Sequence, residues 1–113
     1  YIGLELAQSI YSIALDNRAT GFTKNYNADV ASYAKKDLKK GDKLDGEGGF
    51  CARGRLITSE KSKREKFLPL GLIDNAILIR DINKDDIIKL DDVDLDLPED
   101  IVKAREYQYN TLK

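Results

Sequence analysis

Histidine, methionine and tryptophan are missing from this chain altogether. Without histidine, the commonest general base at neutral pH and the commonest metal ligand are both gone. Without methionine, even at position 1, Tyr1 does not read as a translation start, and the expectation is a processed or excised piece of a longer chain. Cysteine occurs once, at Cys51, so no internal disulfide is expected, which fits a reducing, cytoplasmic setting. Between Phe50 and Ala52, with no histidine to activate it, that thiol reads as a small core residue and not as a nucleophile. An excess of one charge is lacking too. Nineteen Lys and Arg face 20 Asp and Glu, so no concentrated positive field exists for nucleic acid or an anionic membrane, and neither is expected as a partner. No apolar run approaches the ~20 residues that span a bilayer. No charged start, apolar middle and small-residue cleavage site marks a signal peptide.

What is present is a repeat. Residues 36–44 (KDLKKGDKL) return 44 positions later as residues 80–88 (RDINKDDII). The copies share a basic residue, an Asp, an aliphatic, a Lys, an Asp and a closing aliphatic, six agreements in nine. With both aliphatics in register, they predict one turn used twice, each copy sending two aliphatic residues into a core. A chain of 113 residues suffices for one domain with a core of modest size.

The remaining pattern is of short strands between two helices. Leu6, Ile10, Ile13 and Ala14 recur at helical spacing over residues 3–16, and residues 17–21 end that helix with turn chemistry. Its apolar stripe is expected to be partly orphaned. Residues 30–36 read as a strand, residues 39–42 as a turn and residues 50–58 as a second strand. The charged run 59–66 reads as an exposed, mobile loop between the two halves. Leu68-Pro69-Leu70-Gly71-Leu72 reads as a tight packed connection, and residues 76–79 as a buried strand. Val93, Leu95 and Leu97 alternate with aspartates as a half-buried strand. A closing helix is predicted from near Pro98 through Ile101, Ala104 and Tyr107, with Glu99 and Asp100 in its first turn. The fold expected is mainly β, α+β overall, with a helix at each end.

Few residues offer chemistry. Residues 45–49 (DGEGG) are unusually glycine-rich, but Cys51 stands where a dinucleotide fingerprint needs its third Gly, and a strand follows in place of a helix. No Gly-Lys-Ser/Thr of a phosphate-cradling loop occurs. The loop is either simply close-packed or a binding loop presenting the carboxylates of Asp45 and Glu47. Asp92, Asp94 and Asp96 open with calcium-loop spacing, but Leu97 and Lys103 stand where Gly and a bidentate Glu are required, so they read as a solvated strand face. Residues 60–66 read as a solvated run. Lys36 and Arg80 occupy equivalent repeat positions; a quasi-twofold could bring them together, or each could pair with a nearby Asp to fix its own turn. Tyr107 and Tyr109 either pack or belong to an interface.

The two Asp-aliphatic-x-Lys-Gly/Asp-Asp turns, separated by a Gly-containing strand and the Leu-Pro-Leu-Gly connection, resemble a SAF domain, a small β-clip module. In order, Ile2-Gly3-Leu4-Glu5, Asn27-Ala28-Asp29-Val30, Lys36-Asp37-Leu38, residues 45–50, Gly54-Arg55-Leu56 and residues 68–72 are similar to the C-terminal region of the homoserine-dehydrogenase-like oxidoreductases that carry such a domain, the deoxyxylulose-phosphate-reductoisomerase-like group. The resemblance implies that residues 1–26 are a helix and linker from a preceding catalytic domain, 27–98 a SAF-type β-clip with an internal repeat, and 99–113 a C-terminal helix. It implies NAD(P) in an N-terminal domain, with no cofactor, metal or catalytic residue in this stretch. The implied partners are the parent's own catalytic domain and, through a dimer contact, a second copy. Two alternatives stand beside it. One is an autonomous module holding a polar sugar-like or hydroxy-acid ligand through Lys36, Asp45, Glu47, Gly48, Gly49 and Arg80. The other is a lyase-type SAF domain of the sugar-acid dehydratase kind, against which the missing histidine and the Gly-rich loop weigh.

Overall fold

The computed structural model describes residues 2–111. Tyr1 and positions 112 and 113, which the sequence assigns to the first and last helical segments, lie outside the described residues. The chain runs α1 (Ile2–Ala14), β1 (Ala28–Ala34), β2 (Lys43–Asp45), β3 (Ala52–Thr58), α2 (Ser59–Glu65), β4 (Asp74–Leu78), β5 (Val93–Asp94) and α3 (Glu99–Thr111), with short 3-10 turns at Leu70–Leu72 and Leu90–Asp92. The architecture is α+β, with helices at both ends, as the sequence implies.

Two antiparallel sheets carry the strands. In one, β1 pairs with β3 from Ala28 opposite Thr58 to Ala34 opposite Ala52. In the other, β4 lies between β2 and β5, with Lys43 opposite Ile77 and Leu78 opposite Val93. What joins the sheets is the repeat, whose copies clasp each other about a local twofold. Leu38 N donates to Ile82 O at 2.8 Å and Ile82 N returns the bond to Leu38 O at 2.9 Å. Lys40 N donates to Asp81 Oδ1, and Lys84 N donates to Asp37 Oδ1, both at 2.8 Å. Leu78 N reaches Asp42 O at 2.9 Å, and Ala34 N reaches Asp86 O at 3.0 Å. Each of these bonds has its mate at a shift of 44 residues. Both turns use the same backbone: Gly41 has φ +89° and its counterpart Asp85 has φ +68°. In that left-handed region a Cβ meets the following carbonyl, so Gly41 is at ease and Asp85 is mildly strained.

The core follows the same twofold. Leu38 and Ile82, Leu44 and Ile88, and Ala34 and Leu78 are equivalent pairs, and all six are buried in one cluster with Ala52, Leu68, Ile73, Ala76 and Val93. Cys51 belongs to that cluster too, in the core position expected of it.

Two expectations need correction. Residues 59–66 are not a loop: α2 is a two-turn helix, capped at its start by Thr58, whose side-chain oxygen accepts from Lys61 N at 3.3 Å. It ends at Lys66 in the left-handed conformation (φ 53°), and Phe67 N donates back to Ser62 O at 3.1 Å. Ser62 is the helix's sole buried residue, so no apolar stripe announced it. The long strand expected over residues 93–97 shrinks to Val93–Asp94, because β4 pairs with it only at Ile77 and Leu78. Leu95 and Leu97 turn instead towards α3.

Helix α1 buries none of its residues. Exposure of Ile2, Leu4, Leu6, Ile10, Ile13 and Leu15 runs from 59% to 89%. The orphaned stripe expected from the sequence is wholly uncovered here.

Candidate functional site

The glycine-rich loop closes on itself through one carboxylate. Asp45 Oδ2 accepts from Phe50 N at 2.6 Å and Oδ1 from Cys51 N at 3.0 Å. These backbone donors, Phe50 first and Cys51 next, pull the Asp45 pKa down to about 2. Gly48 has φ +79°, and a Cβ added at Gly49 would overlap the Asp45 carboxylate. The carbonyl of Gly49 accepts from Lys35 Nζ at 2.5 Å. Asp45 therefore holds its own loop, while Glu47 stays exposed.

Beside this loop lies an open depression of about 340 Å³, bordered by Asp45, Gly46, Glu47, Leu70, Gly71 and Asp74. The negative charge at this rim suits a neutral, hydroxyl-bearing group better than an anion. Lys36 is exposed, and its charge reaches Cys51, where it lowers the thiol pKa. Burial and then Asp45 outweigh it and push that pKa up, which leaves the thiol protonated and unreactive.

Arg80 stands apart from these residues. It lines a separate depression with Asp81, Asn83, Asp86 and Lys89, and its Nε pairs with the buried Asp92. Asp92 Oδ2 also accepts from Lys89 N at 2.8 Å, so the pair pins the turn Leu90–Asp92. Burial raises the Asp92 pKa, but Arg80 and the Lys89 amide overcome it and hold the group below the usual carboxylate range. Asp45, Glu47, Gly48 and Gly49 thus share a loop with Lys36 in electrostatic reach of its end, and Arg80 does not join them.

A second polar cluster was not foreseen. Asp29 Oδ2 accepts from Tyr26 OH at 2.6 Å, from Ser62 Oγ at 2.7 Å and from Arg105, while Oδ1 takes the amide of Val30 at 2.9 Å. Arg105 NH2 also donates to Tyr26 OH at 2.9 Å, and its guanidinium lies 4.6 Å from the Tyr109 ring centre. Lys63 Nζ sits 5.3 Å from the rings of both Tyr26 and Tyr109. Burial pushes the Asp29 pKa up, and the bonds from Tyr26 and Ser62 with the Arg105 charge more than reverse it, leaving it depressed. Burial first, then the hydrogen bond to Asp29, raise the Tyr26 pKa. The cluster fastens α3 and the end of the linker to β1 and α2. One signal for it existed: Asp29 alternates with buried Ala31 on β1, and an acid facing inward on a strand requires a cationic partner.

Among the described residues, no group of three or more Cys, Asp or Glu is placed to hold a metal ion. No described helix is long and apolar enough to cross a membrane.

The strand-turn repeat, the two clasped sheets and the buried aliphatic pairs define a small β-clip module. Residues 31–94, more than half of the chain, match the SAF domain family, and the chain belongs to that family. Its class of module serves ligand binding or assembly. None of the curated proteins compared matches the chain.

Proposed function

We propose that this SAF domain is a non-catalytic module of a homoserine-dehydrogenase-like, NAD(P)-dependent oxidoreductase of the cytoplasm, where it packs against the catalytic body and shapes its substrate cleft or its assembly interface. The observation that carries this reading is α1. A helix with five large aliphatic side chains at 59% exposure or more, Ile2, Leu4, Leu6, Ile10 and Ile13, presents the kind of surface that soluble domains cover, and the cover assigned here is the catalytic domain ahead of it. The domain's own polar groups support a non-catalytic role, since Asp37, Asp81, Asp45 and Asp92 all hold the module's own turns. On this reading the cofactor binds in the preceding domain, residues 1–26 belong to its tail and residues 27–98 form the module.

The first test is the coding sequence upstream of Tyr1. A strand, a Gly-x-Gly-x-x-Gly turn and a helix several hundred residues earlier, with nicotinamide-dependent turnover by the full-length protein, is the expected result. A start codon just ahead of Tyr1 overturns it. The depression beside residues 45–49 favours a second reading, an autonomous module for a hydroxyl-rich ligand. Calorimetric titration of the chain with neutral sugars and polyols distinguishes them, because the first reading expects no heat of binding.

A further inference from the structure

One edge of β3 is uncovered. Among the described residues β3 pairs with β1 alone, and no isolated bridge reaches its other side. The register fixes which backbone groups point there. At the two ends of the ladder Lys35 N donates to Cys51 O and Ser59 N to Asn27 O, so the odd-numbered residues of β3 bond β1. Even-numbered residues of β1 turn away from β3, as Ser32 N and Ala34 N do in reaching Leu68 O and Asp86 O. On β3 the even-numbered Gly54 and Leu56 likewise aim an amide and a carbonyl each outward, and both residues are exposed.

The side chains along this edge differ between its faces. Arg53 and Arg55 stand on one face, both exposed. Arg53 pairs with Asp85 at 2.6 Å, whereas the Arg55 guanidinium lies 5.6 Å from the Tyr33 ring centre and meets no described carboxylate. The other face is apolar. Leu56 is 73% exposed and lies opposite Val30, itself 39% exposed. A Cβ at Gly54 would overlap Val30 and Leu70, so those side chains close over the glycine and extend the apolar shelf.

An open edge is a template for another strand, and here charge decides which strand. Two copies of β3 related by a twofold would repel. Centring the pair on Gly54 sets Arg53 opposite Arg55 of the other copy, and centring it on Arg55 sets that residue opposite itself. We propose that the β3 edge takes up an extended acidic segment of a partner protein as an added antiparallel strand. Carboxylates at alternate positions face Arg55 and Arg53, and the β-branched apolar residues between them lie over Leu56 and Gly54. The amides and carbonyls of Gly54 and Leu56 supply the backbone bonds, and the alternating side chains supply the selectivity. Arg55, whose charge the fold leaves unmatched, is the principal selector. The site lies apart from α1, and it stands whether or not the oxidoreductase reading holds.

The test titrates the whole 15N-labelled chain with acetyl-TVEVET-amide, whose glutamates fall opposite Arg55 and Arg53 in this pairing. Saturable shifts centred on the Gly54 and Leu56 amides, with slowed exchange of both, are the expected result. The basic peptide TVKVKT should bind at least about tenfold more weakly. So should TVEVET methylated on both valine nitrogens, which keeps the charge and loses the donors to the Gly54 and Leu56 carbonyls. Arg55→Glu, at an exposed position, should reverse the preference between acidic and basic peptides while the rest of the spectrum is retained. Absence of saturable shifts up to about 2 mM acidic peptide overturns the proposal. So do shifts centred away from β3, equal binding of the basic or the methylated peptide, or an unchanged preference in Arg55→Glu.

Discussion

Replacing Asp29 by Ala should loosen α3 and the linker together. Asp29 is 8% exposed, and it takes three side-chain bonds on one oxygen and an amide on the other. Summing bonds to a charged group at about 1.5–3 kcal/mol each would overstate its worth, because the ion must first be desolvated. A better measure is the cost of stranding one partner of a buried ion pair, about 3–5 kcal/mol. The Arg105 side chain keeps 18% of its exposure, and water reaching it softens the loss, so about 3 kcal/mol is expected. Urea unfolding of Asp29→Ala, Arg105→Met and the double variant closes the cycle. The double variant should recover much of the loss, since it leaves no charge buried alone. The sign with pH follows from the depressed Asp29 pKa. The stabilisation is complete above the unfolded carboxylate value near 3.8 and is lost as pH falls through the folded one. Wild type should therefore shed the difference between itself and Asp29→Ala in strong acid. A loss below about 1 kcal/mol, or an unchanged α3 hydrogen-exchange pattern in the variant, would refute the assignment of this pair as the fastening of the helix.

Truncating equivalent core positions, Leu44→Ala and Ile88→Ala, should each cost about 2–5 kcal/mol in chemical denaturation, and a gap of several kcal/mol between them would contradict a core built on the twofold. By carbon-detected NMR, Asp45 should titrate with a midpoint of about 2; a midpoint near 3.8 would mean that the Phe50 and Cys51 amides do not hold it. Thr58→Ala should remove about 1 kcal/mol and fray α2, seen as lost amide protection over residues 61–65. Amides of α1 should exchange quickly in the isolated monomeric chain, and strong protection there would contradict its uncovered state.

The repeat was legible because the residues that agree between copies are those the geometry uses. Asp37 and Asp81 cap each other's turns, and Leu38, Ile82, Leu44 and Ile88 form the core. Helix α2 was not, since a seven-residue helix with only Ser62 facing inward has no apolar period to detect. Thr58 followed by Glu, Lys and Arg, all good helix formers, was the available clue. The Asp29 cluster escaped for another reason. Its cation lies 76 residues downstream, and local sequence around an acid says nothing of which distant helix returns to it. Arg80 misled by symmetry: it stands at the equivalent of Lys36, but only Arg80 has a buried Asp92 within reach.

The mutual clasp of the two copies also sets a schedule for synthesis. Neither Leu38 nor Asp37 meets its mate until Ile82 and Lys84, 44 and 47 residues further on, have been made. At about 5–20 residues per second that is a wait of roughly 2–9 s on the ribosome. Through it the first turn has no counterpart, Leu38 and Leu44 have no core, and the edge of β2 lies open. A sequence whose halves complete each other leaves the first half to be guarded until the second arrives, and that interval is where misassembly and chaperone capture would act.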